Sequence, residues 1–206
     1  MLRPYQNPMP QEPHAARKWL GSQGIGYSRS RRAATIVTMD RAWHPRVSMH
    51  RRSMRLPGYD YTRPGAYFVT ICALTHLFGR IRGEQMVLSP LGAIARECWE
   101  DIPNHFEYVR VDAYVVMPDH LHGILILRDY RNRVPAIGHV GPGSLGAVVR
   151  SFKSAVTARV HAVRGARDHA VWQRNYFDRI IRDKTDLDQV RRYIRENPAR
   201  WVRNRH

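Results

Sequence analysis

Ordered patterning of apolar positions begins at Gly65–Cys72, a β-branched and aromatic run directly after Pro64, and it predicts a first strand. A short hairpin about Arg82-Gly83-Glu84 joins residues 77–81 with 85–88. Ser89 then reads as a helix cap and Pro90 as the first helical residue. Leu91, Ile94, Ala95, Cys98 and Ile102 follow at helical spacing until Pro103 stops the run. Residues 108–116 form the next strand, and the turn Met117-Pro118-Asp119 returns the chain into a second apolar strand that ends at Leu127.

Residues 138–143 carry no periodicity. Ser144 opens another amphipathic helix, with Leu145, Val148, Val149, Phe152, Val156 and Val160 on one face. Apolar and aromatic sequence resumes over 171–181. A last helix is capped by Thr185 with Asp188, carries the narrow stripe Leu187, Val190 and Ile194, and ends at Pro198. This order suits an α+β fold in which helices cover one face of an antiparallel sheet.

One feature breaks the apolar pattern of the 120–127 strand. His120 and His122 are two apart, so their imidazoles project side by side from one face while Leu121 points to the other. Histidines in apolar strands are often core residues with a backbone partner. The turn just before this pair places it at the accessible end of the strand, which favours a metal site.

Composition narrows the partner. The chain of 206 residues has a formal net charge of +17 and a pI near 10.9. Most of the excess is arginine, whose fork matches phosphate oxygens. Such a balance suits a polyanion, nucleic acid or an anionic membrane surface. No apolar run is long enough to span a bilayer, so nucleic acid is the better reading and no membrane partner is expected. Cys72 and Cys98 sit among apolar residues and read as small core side chains, which fits a reducing cytoplasm, with nucleoid association following from the charge.

Residues 1–50 are rich in Pro, Gly, Ser and Arg and show no period, so a disordered basic segment is expected ahead of a domain over 51–206. Met49 and Met54 stand just before the patterned region. Translation from one of them, or a genuine basic arm, are both compatible with the sequence.

Basic and aromatic residues also cluster further on. Arg150, Lys153 and Arg159 lie on the polar face of the second long helix, either as solvated charge or as phosphate contacts, and the net charge favours the second. Residues 172–179 interleave Trp172 with Arg174 and Arg179, a mixture suited to stacking unpaired bases and neutralising phosphates. A core-anchoring role for Trp172 and Phe177 is the alternative.

In combination these motifs resemble a known family. The block 115–127 with its His-hydrophobic-His centre is similar to the HUH endonucleases. The wider match, from Leu56-Pro57-Gly58-Tyr59-Asp60-Tyr61 to Tyr193-Ile194-Arg195-Glu196-Asn197-Pro198, resembles the REP-associated tyrosine transposases and kindred transposases of small bacterial insertion sequences, over about residues 51–203. The resemblance implies a ferredoxin-like antiparallel sheet. It also implies that Tyr193 is a nucleophile that attacks a DNA phosphodiester, leaving a 5′-phosphotyrosine link and a free 3′-hydroxyl.

The same resemblance implies a divalent cation, Mg2+ or Mn2+, held by His120, His122 and a polar ligand one turn after the nucleophile, for which Asn197 is the candidate. Hard cations prefer oxygen ligands, so two imidazoles and one amide should bind modestly. Asp119 remains a competing ligand and Tyr176 a competing nucleophile. The implied partner is single-stranded DNA that folds into imperfect hairpins; the family includes both dimers and monomers, and the basic segments at both ends of the chain favour a monomer, with a homodimer as the alternative. Two other functions fit parts of the pattern: an HUH replication initiator, and a catalytically silent single-stranded nucleic-acid-binding module.

Overall fold

The computed structural model describes residues 56, 58–130, 141–165 and 169–203. The basic segment 1–50, the first residues of the expected 51–206 domain and the first half of the 138–143 loop lie outside the described residues. Among the described residues there are six strands: β1 (Gly65–Cys72), β2 (Gly79–Arg82), β3 (Gln85–Leu88), β4 (Val109–Val116), β5 (His120–Leu127) and β6 (Phe177–Ile181). The helices among these residues are α1 (Pro90–Glu100), the single turn α2 (Ile102–His105), α3 (Leu145–Arg164) and α4 (Lys184–Arg203).

Strands β4-β5-β1-β6 form one antiparallel sheet in that order, and β2-β3 make a separate hairpin. The histidine strand is therefore an inner strand, paired on both sides. Alternation along β1 and β5 divides the core. Tyr67, Val69, Ile71, Leu121 and Leu125 pack with Trp99 of α1 and with Val148, Phe152 and Val156 of α3. Ala66 and Ile124 point to the opposite face and pack with Leu187, Val190 and Ile194 of α4.

This layering corrects one expectation. The antiparallel sheet and the α1 and α3 layer are as the sequence suggests, but α4 covers the other face. The reason is that β1 and β5 are apolar on both sides, so a single helical layer would leave Ala66, Phe68, Ile124 and Ile126 in water. A second correction concerns the ends of α4. Asp183 rather than Thr185 caps it, its carboxylate accepting the Asp186 N–H at 2.8 Å. Pro198 lies inside the helix, which runs on to Arg203. Proline removes the bond to the carbonyl four residues earlier, but Pro198 is buried on the packed face and the turn beyond it lands on the histidines. The first hairpin also starts later than 77, because the Phe78 N–H bonds the Pro118 carbonyl at 3.0 Å instead of a strand partner.

Two local features fix the sheet beneath the site. Gly123 lies under the buried Trp99, and a Cβ there would stand 2.3 Å from the Trp99 ring. Gly123→Ala must displace a fully packed indole, and a loss of about 2 kcal/mol in chemical denaturation is expected.

The second is a register shift in β4 between Val111 and Tyr114. The extra residue keeps Val109, Val111, Tyr114 and Val116 on the α1/α3 face and turns Asp112 toward α4. Arg191 grips its carboxylate with two bonds, Nε to Oδ1 at 2.8 Å and Nη2 to Oδ2 at 2.9 Å. Burial raises the Asp112 carboxyl, but the bonds from Arg191 and the Ala113 N–H outweigh it and hold the group below its ordinary value. A depressed folded pKa contributes stability above the unfolded carboxylate value near 3.9, which is lost as pH falls through the folded value. Asp112→Asn is therefore expected to cost about 2 kcal/mol at pH 7. The gap from the parent should close below about pH 4 in pH-dependent unfolding.

Candidate active site

The two histidines open β5, where their strand register sets their neighbours. His120 lies opposite Cys72, and His122 opposite Thr70 on β1 and Val115 on β4. Both rings are buried on the α4 face, with their Nε2 atoms 3.1 Å apart. Each Nδ1 is tied down on the other side. Asp119 Oδ1 lies 2.7 Å from His120 Nδ1, and Thr70 Oγ1 lies 2.7 Å from His122 Nδ1.

The Asp119 bond fixes one proton position: a carboxylate only accepts, so His120 donates from Nδ1. The Thr70 hydroxyl both donates and accepts, so it supports His122 with its proton on either nitrogen. A cation at the pair would need the His122 Nε2 lone pair, and the ring would then carry its proton on Nδ1, donated to Thr70. Burial, followed by the nearby His120, holds His122 well below the ordinary imidazole value, so its ring is neutral at neutral pH. Neutral imidazoles anchored through their second nitrogen are the form in which histidine binds metals.

The residues fit a divalent ion. Ligands about 2.1 Å from a six-coordinate cation and at right angles to each other are about 3.0 Å apart, which matches the Nε2 separation. Among the described residues no cluster of three or more His, Cys, Asp and Glu could hold a metal ion, and Asn197 is the further oxygen donor that lies beside the pair's tyrosine.

Tyr193 comes to this pair from α4. Its Oη is 3.5 Å from His122 Nε2, and the two rings are 5.3 Å apart. Asn197, one turn on and 7% exposed, hydrogen-bonds the phenol. Burial raises the Tyr193 phenol, while the Asn197 bond and the Arg200 charge pull it back only in part. The Arg200 guanidinium carbon sits 5.7 Å from the centre of the Tyr193 ring. The phenol is thus protonated at rest beside two imidazoles and a cation, an arrangement able to bring a hydroxyl nucleophile to a phosphate while stabilising added negative charge.

The fold brings His120, His122, Tyr193 and Asn197 together across about 77 residues of sequence, and distributes the six basic and aromatic candidates elsewhere. Arg150, Lys153, Trp172, Arg174 and Tyr176 line a groove of about 1140 Å³ between α3 and the 170–176 segment. Arg150 and Arg174 are exposed there. Lys153 is half-buried and donates from Nζ to the Gln173 and Asn175 carbonyls at 2.8 and 3.1 Å, so it pins that segment. Trp172 packs in the core against Phe78 and Phe152, and its indole N–H bonds the Lys153 carbonyl at 3.0 Å, which is the anchoring role rather than an open stacking platform.

Arg159 pairs with Glu97 of α1 and lies outside the groove. Arg179 pairs with Asp186 and sits opposite Phe68, on the histidine face. Tyr176 belongs to the groove and packs against the α1/α3 core, on the other side of the sheet from the histidines.

Sequence reasoning passed over Thr70, Phe68, His76 and Trp201. Phe68 stacks on His122 at 5.4 Å, and Trp201 lies 5.7 Å from the His120 ring. Thr70 carried a signal: it is the one polar residue in β1, and alternation puts it on the face opposite Tyr67, Val69 and Ile71. Asp119, considered as a ligand, instead holds His120 and, through Oδ2, His76 at 3.3 Å.

Among the described residues no helix is long and apolar enough to cross a membrane. No protein-family model matches the chain. Two solved structures are similar to parts of the chain. A REP-associated tyrosine transposase bound to a REP hairpin has a TM-score of 0.48 at 20% identity, covering 75% of this chain and 74% of that one. A transposase from Deinococcus radiodurans R1, described as putative in its own structure, has a TM-score of 0.41 at 16% identity, covering 68% and 95%. A protein of Haemophilus influenzae described as uncharacterized is 41% identical over 164 residues, which span 74% of this chain and 90% of the relative. At that identity and coverage, the chain belongs to the same protein family as the Haemophilus influenzae protein.

Proposed function

We propose that this protein is a DNA transposase of the single-tyrosine HUH type, which cleaves and rejoins single-stranded DNA through Tyr193. The observation that carries the reading is the position of the Tyr193 hydroxyl, 3.5 Å from a buried imidazole whose Nε2 is 3.1 Å from a second one. A tyrosine serving only to pack on the sheet has no need of a paired, outward-anchored histidine couple at its hydroxyl. The sequence resemblance to REP-associated tyrosine transposases supplies the substrate class, hairpin-forming single strands.

His120, His122 and Asn197 would hold Mg2+ or Mn2+, which when bound polarises a nonbridging phosphate oxygen and offsets charge in the transition state. The remaining work falls to the chain. Tyr193 Oη attacks phosphorus and loses its proton to solvent water, the P–O3′ bond breaks, and the 3′-oxygen takes up a proton from solvent and departs as a hydroxyl, so that no net proton is consumed. Arg200 stabilises phenolate character, and Asn197 directs the phenol. The Tyr–phosphate ester conserves the bond for attack by another 3′-hydroxyl, which restores the phenol. Arg150 and Arg174 in the groove and Arg179 on the histidine face are the proposed contacts to the strand's phosphates, released counterions making that binding salt-dependent.

The test mixes purified protein with labelled single-stranded hairpins from the DNA flanking its gene, in Mg2+ or Mn2+, and resolves the products on a denaturing protein gel. A labelled band at protein mass that requires the cation supports the proposal. Shifted native complexes that never yield a covalent band, under either metal, would favour the silent binding module.

A further inference from the structure

A second cavity, of about 440 Å³, opens beside the histidine pair and is not used by the tyrosine chemistry. Its walls include His76, Arg80, Ile81, Pro118 and Trp201. Two of these also touch the site. Trp201, on the last turn of α4, has its ring 5.7 Å from that of His120, and His76 shares the Asp119 carboxylate with His120. The helix reaches Trp201 only because it continues through Pro198. His76 meets the indole edge-on at 6.1 Å, which leaves the two rings as adjoining walls rather than a closed stack.

The chemistry of this cavity is mixed in a particular way. It offers a half-buried indole, apolar contacts from Ile81 and Pro118, and at its rim an exposed guanidinium and an exposed imidazole. A small apolar ligand has no use for a guanidinium and an imidazole at the rim, and a bare phosphate has none for the indole. A nucleotide uses both, its base against the ring and its phosphate at the Arg80 and His76 donors. Because one wall is in ring contact with His120, an occupant here lies next to whatever phosphate the tyrosine meets.

We infer that the Trp201 cavity is a subsite for one unpaired nucleobase next to the scissile phosphate, with Arg80 and His76 on that nucleotide's phosphate. The inference rests on the single-tyrosine reading above and adds to it a base-holding site formed by the β2 hairpin and the end of α4. It makes the end of α4 serve two purposes: Tyr193 delivers the nucleophile, and Trp201, two turns on, sets which bond it meets.

The experiment is a thermodynamic cycle on strand binding, in EDTA so that no cleavage intervenes. Single-stranded oligonucleotides carrying an abasic residue at each position around the cleavage point are titrated against the parent protein and Trp201→Ala. Removing a stacked base or its aromatic partner should each weaken binding about 5- to 100-fold. At one position adjacent to the scissile phosphate the two losses should not multiply, since they delete the same contact. Trp201→Phe should recover most of the loss, which separates stacking from damage to the helix end, and Arg80→Ala should weaken binding of every oligonucleotide in the series.

Losses that multiply at every position overturn the subsite, and if the same oligonucleotides still form the Tyr193 adduct in Mg2+ the transposase reading stands without it. Non-multiplying losses with no adduct under Mg2+ or Mn2+ keep the subsite and overturn the transfer chemistry. Failure of the parent protein to bind any of the strands overturns both.

Discussion

Tyr193→Phe is expected to abolish the covalent protein–DNA band, lowering adduct formation by at least about 10³-fold, the scale on which loss of a nucleophile registers. The substitution deletes one hydroxyl from a ring that stays packed, so stability should hardly change: Oη faces His122 and Asn197, while the ring rests on Phe68. Native complexes with hairpin DNA should persist at near-parent affinity. Tyr176→Phe is the informative companion. Tyr176 lines the α3 groove, across the sheet from the histidines, and its removal should leave the adduct in place. An adduct that survives Tyr193→Phe and vanishes with Tyr176→Phe would falsify the assignment of the nucleophile.

The second large effect concerns the histidine pair. His120→Ala and His122→Ala should each remove measurable binding of Mn2+ by calorimetry, a loss of at least about 100-fold, and with it the adduct. Thr70→Val should cause a smaller loss, about 10- to 100-fold, because it keeps both imidazoles but leaves His122 Nδ1 without the hydroxyl that would accept its proton while Nε2 bound the proposed cation. The graded series matters more than any single value. If Thr70→Val binds Mn2+ as the parent does, the proposed anchoring is wrong even where the histidines prove essential. If His122→Ala retains Mn2+ affinity, the pair is a core feature rather than a metal site.

Both effects depend on the geometry of β5, which is why Gly123 and Asp112 bear on function. Gly123 follows His122 directly and seats Trp99 on the far face, so a larger residue there tilts the strand that aims the imidazoles. The Asp112–Arg191 pair fastens α4 to β4 half a turn from Tyr193, so weakening it loosens the nucleophile's helix as well as the fold.

The sequence by itself determined the elements and the chemistry. β-Branched, aromatic and apolar runs located β1, β4 and β5 to within a residue or so, Ser89 and Ser144 marked the starts of α1 and α3, and both caps are formed, the hydroxyls accepting from Gly92 and Ala147. His120 and His122 on one strand face, and Tyr193 and Asn197 on one helix face, followed from periods of 2 and 3.6, because those spacings are set by local backbone geometry. What periodicity does not carry is which face of a sheet a helix covers. β1 and β5 are apolar on both sides, so the choice between one helical layer and two depended on how the whole chain buries them.

Only the tertiary structure decided that α4 crosses the histidine face, which is the step that turns a His pair and a distant tyrosine into one site. It also decided the anchoring of the imidazoles by Thr70 and Asp119, the continuation of α4 through Pro198 to Trp201, and the division of the basic residues between a groove, ion pairs and structural bonds. Lys153 and Trp172 show why composition misreads such residues. Cationic and aromatic side chains have long apolar bodies with a polar end, and they serve a buried carbonyl as readily as a phosphate or a base. Local spacing therefore revealed which groups could do chemistry, whereas long-range packing selected which of them meet.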